Sequence, residues 1–91
     1  MSGSDIKASY LTATGTVVSG PARLCGIHYH SGASTGKIVL KDGGASGATL
    51  ATFDFHANST SDISIPEEGI KFGTDIHATF TNITSATFFH K

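Results

Sequence analysis

The sharpest arrangement of chemistry-bearing side chains in this 91-residue chain is His28-Tyr29-His30. On a β-strand, residues i and i+2 point to the same side, so both imidazoles could reach one metal ion. A zinc site takes at least three protein ligands, and no Cys/His set with recognised spacing completes one within the chain. On the three-fold axis of a trimer the same pair would supply six nitrogens, but for the single chain the reading is histidines on a polar or subunit-facing strand surface. Asp54 and His56 would likewise share a face, which suits the carboxylate–imidazole half of a hydrolytic triad. No Gly-x-Ser-x-Gly elbow supplies the nucleophile, and in a Ser-rich chain a loose Ser/His/Asp match carries no information. Cys25 is the only cysteine, which excludes an intramolecular disulfide, and its apolar surroundings suit a small buried hydrophobe better than a nucleophile. Gly43-Gly44 and Gly47 lack the strand-to-helix setting and the Lys-Ser/Thr of a phosphate loop, so they read as turn glycines. Glu67-Glu68 after Pro66 read as solvated turn charges. The expectation is no catalytic residue, no cofactor and no metal.

The elements that must position these groups are strands, because the apolar residues recur with period two and Gly, Pro or Asp punctuation arrives every several residues. Tyr10 to Thr14 and Thr16 to Val18 predict a strand or a pair of strands around Gly15, stopped by Gly20-Pro21. Arg23 to His30 alternates next, with Arg23, Cys25, Ile27 and Tyr29 expected on one face and Leu24, Gly26, His28 and His30 on the other. A six-residue loop, Ser31 to Gly36, would join it as a hairpin to Lys37–Lys41, which Asp42-Gly43-Gly44 ends. From Thr49 to His56, Ala51, Phe53 and Phe55 form an apolar face that should be core. Ile63 and Ile65, Ile70 and Phe72, and Ile76, Ala78 and Phe80 mark three more short strands. Pro66 to Gly69 and Gly73-Thr74-Asp75 are the turns between them. The last segment, Thr87-Phe88-Phe89-His90, could bury either Phe depending on register. About eight short strands and no helical stripe predict an all-β chain, a single antiparallel β-sandwich or jelly-roll-like domain over residues 1–91, with 1–5 flexible.

Composition narrows the partners. Asp, Glu, Lys and Arg make up only 14%, against about 25% in average globular proteins, and Thr, Ser and Gly take their place. Six Lys plus Arg against seven Asp plus Glu give a net charge of −1 and no field to hold a phosphate backbone. The basic residues are scattered, so neither nucleic acid nor a membrane surface is expected as a partner. The N-terminus lacks a signal peptide's basic and apolar regions, and no apolar run approaches the length of a membrane span. A cytosolic product is expected, in which the sequons at Asn58 and Asn82 are coincidences. A core this small gains from burial against a neighbouring subunit, so oligomerisation is expected.

Ala8 to Gly15, Ala22 to Tyr29 and Val39 to Gly47, continued by Ile65 to Phe72 and Ile76 to Asn82, resemble small virion structural proteins common in marine tailed bacteriophages, especially cyanophages. The similarity spans nearly the whole domain and consists of strand-and-turn patterns without a chemical signature. It implies a virion component made in the host cytoplasm: a capsid cement or decoration protein, or a small head or tail subunit. It also implies assembly as a homo-oligomer, a trimer favoured, against other virion proteins. A second expectation from the same composition is a β-sandwich binding or adhesion module for host-surface glycans, disfavoured by the absence of Trp and the presence of only two Tyr. A small enzyme is the third, and an enzyme would present a concave site with perturbed titratable groups.

Overall fold

Alternating β-branched and aromatic residues on one side and Thr, Ser or charge on the other form half-buried strands, and nine of them occur among the described residues. A computed structural model describes residues 6–65 and 69–91. The flexible start expected at 1–5 and the turn expected at Pro66-Glu67-Glu68 lie outside the described residues. The strands are β1 (Lys7–Leu11), β2 (Gly15–Val18), β3 (Ala22–Ser31), β4 (Gly36–Asp42), β5 (Ala48–Phe55), β6 (Thr60–Ser64), β7 (Ile70–Phe72), β8 (Ile76–Thr81) and β9 (Ile83–His90). No helix occurs among the described residues.

Two antiparallel sheets pack face to face. The first has the order β1-β9-β3, and its far edge is shared by β6 and β7, which pair with different parts of β3. The second has the order β2-β8-β4-β5. The pairs are nested in sequence: β1 with β9, β2 with β8, β3 with β6 and β7, β4 with β5. The chain is therefore one long antiparallel ribbon, closed at its tip by the β4–β5 turn, whose successive pairs alternate between the sheets. That arrangement is a jelly roll. The expected count of about eight becomes nine among the described residues because the N-terminal segment forms two strands, β1 and β2, in different sheets.

Between the sheets lie Leu24 and Ile27 of β3, Phe88 of β9, Ile38 and Leu40 of β4, Ile76 of β8 and Phe72 of β7, all essentially inaccessible to solvent. Tyr29 of β3 stacks on Phe55 of β5 with ring centroids 3.8 Å apart, tying one sheet to the other, and Phe80 of β8 faces Phe88 of β9 at 6.2 Å. The expected aromatic face of β5 is thus core, and of the Phe pair in β9 it is Phe88 that is buried.

Two expectations are corrected. β3 and β4 do not form a hairpin; they lie in different sheets, and the 32–35 loop arches across the sandwich. Both edges of each strand are taken by other partners, β9 and β6/β7 for β3, β5 and β8 for β4, and the apolar side of each faces the core between the sheets. Leu24 also lies in the core with Ile27 and Tyr29, not on the side of His28 and His30. The register with β9 shifts between Leu24 and Gly26, and this bulge at Cys25 lets two residues occupy one step, which reverses the alternation.

At the ribbon's tip, two aspartates tie neighbouring turns together. The Asp42 carboxylate accepts hydrogen bonds from the backbone N–H groups of Gly73, Thr74 and Asp75 at 2.8–3.2 Å, and Asp75 accepts from those of Gly43 and Gly44 at 2.9 and 3.0 Å. Gly43 and Gly44 adopt φ of 105° and 82°, which only glycine takes without strain, and this aims both N–H groups at Asp75. Bonds from Thr74 and Gly73 hold the Asp42 carboxyl below its ordinary value of 3.8.

Candidate functional site

The strand register places His28 and His30 on the outward face of the first sheet. Directly opposed residues of antiparallel strands share a face, so Tyr10, Thr87, His28 and Asp62 form one row across β1, β9, β3 and β6. Ser85, His30 and Thr60 form the next row, and Ala8, Phe89, Gly26 and Ser64 the row on the other side.

His28 and His30 therefore do point the same way, as their spacing predicts, and both are exposed. Each is held sideways by its partner on β6: His28 Nδ1 is bonded to an Asp62 carboxylate oxygen, and His30 Nδ1 to Thr60 Oγ1 at 2.6 Å. A carboxylate only accepts, so Nδ1 of His28 carries the proton in this pair, and the lone pair of the neutral ring sits on Nε2. The His28 side chain is 50% exposed and that of Asp62 74%. In such an exposed setting the contact itself contributes little to stability.

A carboxylate–imidazole pair thus exists, but between residues 34 positions apart. Asp54 and His56 make no hydrogen bond to each other among the described residues, because His56 lies beyond the end of β5. They line a shallow, open concavity at one end of the sandwich with Thr35, Lys37, Thr81 and Asn82. Asp62 was not singled out from the sequence, since nothing local distinguishes it from the other Ser/Asp positions near it. Its role follows from the β3–β6 register alone.

Beside the histidines the same face turns apolar. Of the four large hydrophobic side chains exposed among the described residues, Tyr10 (65%), Ile6 (51%) and Phe89 (37%) are at this sheet, and the fourth is Leu50 of β5. Phe89 lies over Gly26. A Cβ at Gly26 would come within 2.9 Å of the Ile63 carbonyl oxygen and 3.8 Å of the Phe89 ring, so glycine is what allows β6 and the ring to approach. Ile6, Cys25, Gly26, Ile63 and Phe89 line a shallow groove that ends at His28 and Asp62. Cys25 is half-buried at the bulge, with its Sγ 3.9 Å from the Arg23 carbonyl oxygen.

Two further histidines are buried. His90, the last residue of β9, shares a hydrogen bond of 3.0 Å between its Nε2 and Ser9 Oγ, and burial, with the nearby Lys7 charge, lowers its pKa from the ordinary 6.5. His77 of β8 sits opposite Thr16 and Lys41, with Nε2 unpartnered among the described residues. No group of three or more His, Cys, Asp or Glu side chains among the described residues is arranged to hold a metal ion. No serine, threonine or cysteine there is hydrogen-bonded to the free nitrogen of the His28–Asp62 pair, so the geometry contains the orienting half of a triad without an activated nucleophile. Compared with family models, curated proteins and solved structures, the chain matches none of them.

Proposed function

We propose that this chain is a non-enzymatic structural subunit of a tailed-phage virion, a capsid cement or decoration protein or a small head or tail subunit, that works by packing against copies of itself and other virion proteins. The observation that carries the reading is the exposed apolar set Ile6, Tyr10 and Phe89 grouped on the outward side of the first sheet. Water-exposed aromatics grouped on a rigid sheet are stabilised by contact with another protein surface. Two things add to it. The sequence resembles marine phage virion proteins over most of its length, and the jelly roll is an architecture that recurs in viral capsids. A trimer is the favoured form. In this reading the subunit is made in the host cytoplasm and ends in the virion, with neither nucleic acid nor membrane as partner.

The test is the solution mass by light scattering over a dilution series, together with mass spectrometry of purified particles of the phage that encodes the chain. A symmetric oligomer and recovery of the chain from particles are expected. A monomer at every concentration overturns the self-packing, and absence from particles overturns the virion assignment. In that event the alternative is a glycan-binding or adhesion module, in which the outward ring of Tyr10 would serve as the sugar platform, and a glycan array would show which sugars are retained.

A further inference from the structure

The geometry points to a two-histidine chelate on this chain's own surface: we propose that His28 and His30 bind one divalent first-row transition-metal ion through their Nε2 atoms, with Asp62 and Thr60 as the outer groups that orient them. Four observations carry it. The two residues are i and i+2 on one strand and both face outward. Both rings are tied at Nδ1, His28 to Asp62 and His30 to Thr60, and neither Nε2 has a hydrogen-bond partner among the described residues. The Asp62 carboxylate fixes the tautomer of His28 that leaves Nε2 as a ligand. Metal-bound histidines share this arrangement, in which the second ring nitrogen donates to a carboxylate or another oxygen.

The reach is sufficient. Residues i and i+2 of a strand are about 6.6 Å apart, whereas two nitrogens bound to one ion at about 2.1 Å sit roughly 3.4 Å apart, so each ring tip must move about 1.6 Å toward the other. The Nδ1 contacts run sideways to β6, perpendicular to β3, and so act as hinges about which each exposed ring tips along the strand. The two histidines are the whole protein contribution to the site, which leaves the remaining coordination positions to water. Imidazole nitrogens select copper, nickel and zinc over magnesium and calcium, and the divalent series should run copper tightest, then nickel and zinc. The chelate is contained in one chain and does not depend on how copies assemble.

The test is calorimetric titration of the whole protein with Cu²⁺, Ni²⁺, Zn²⁺ and Mg²⁺, alongside His28→Ala, His30→Ala, Asp62→Asn and, as a control on an exposed histidine elsewhere, His56→Ala. Circular dichroism verifies that each variant is folded. One Cu²⁺ per chain is expected, with at least a tenfold loss of affinity in either single histidine variant, and no Mg²⁺ binding. Asp62→Asn should lose about tenfold, at the low end of what outer-shell partners contribute, and His56→Ala should match the wild type. The electron paramagnetic resonance spectrum of the Cu²⁺ form should show two equivalent nitrogens, reduced to one in either histidine variant. Affinity within twofold of wild type in His28→Ala or His30→Ala overturns the proposal, as does binding that His56→Ala abolishes or no saturable Cu²⁺ binding below 1 mM, taken as the weak end of chelation.

Discussion

Replacing Tyr10 by Asp should dissociate the assembly without unfolding the subunit. Tyr10 lies in the middle of the outward side of β1, opposite Thr87 and diagonal to Phe89, and the residue is 65% exposed. Taking about 200 Å² for a tyrosine side chain, a contact that covers the ring fully removes roughly 130 Å² from water, which at ~25 cal/mol per Å² contributes about 3 kcal/mol per copy. The loss corresponds to a rise of roughly 150-fold in the dissociation constant, and more if the introduced carboxylate is itself desolvated. Sedimentation velocity over three decades of concentration reads this directly. Thr52→Asp, on the exposed outer side of β5 in the opposite sheet, is the control and should leave association unchanged. Far-UV circular dichroism and the melting temperature of the dissociated form should show an intact sandwich, because the Tyr10 ring is not part of the core. If Tyr10→Asp associates with the wild-type constant, the outward face of the first sheet is not where copies meet, and the argument from Ile6, Tyr10 and Phe89 fails.

Other consequences follow from the same structure. Gly43→Ala forces a side chain into φ 105° and should destabilise the fold by about 1–2 kcal/mol, or roughly 4–16 °C in melting temperature for a domain of this size. Gly20→Ala, where a Cβ meets nothing within 4 Å, should melt close to the wild type. Acid should weaken the fold in two stages. His90 has its folded pKa below 6.5, so between that lowered value and 6.5 the unfolded chain binds the extra proton; its contribution is present above pH 6.5 and is lost as pH falls through the folded value. A His90→Gln variant should flatten this part of a plot of melting temperature against pH, and an unchanged slope would refute the assignment. Asp42 acts lower: its stabilisation is present above 3.8 and is lost as pH falls through its depressed folded pKa. Asp42→Asn should melt below the wild type at pH 7 and lose less on acidification below pH 4, as followed by thermal melts.

Much of the fold was legible in local pattern, because a half-buried strand must alternate and a tight turn must have glycine or a residue that tolerates it. The apolar sides of Lys37–Lys41, Thr49–Phe55 and Ile76–Phe80, and the turns at Gly43-Gly44 and Gly73-Thr74-Asp75, follow from residue types alone. The same rule placed His28 and His30 together, since their relation depends only on the two-residue period of their own strand. What it misread was the beginning of that strand. Leu24 went to the wrong face because a bulge at Cys25 breaks the alternation, and a bulge is a property of the pairing with β9, not of the residues' order.

Pairing across distance was decided only by the tertiary structure. β3 and β4 look like a hairpin because they are adjacent and both alternate, yet they lie in different sheets with their apolar sides turned to the shared core, and β3 pairs with β9, β6 and β7 while β4 pairs with β8 and β5. Local pattern alone yields an all-β chain of short strands, weakly charged, with two histidines on one strand face. The rolled, nested order of the strands decided the rest: that Asp62 and not Asp54 meets a histidine, that Asp42 and Asp75 clasp two remote turns, and that Tyr10 and Phe89 share a face with His28. The physical reason is that alternation is a local steric fact of the extended backbone. Register and sheet membership are instead set by the free energy of burying all the apolar faces at once, which no single segment contains.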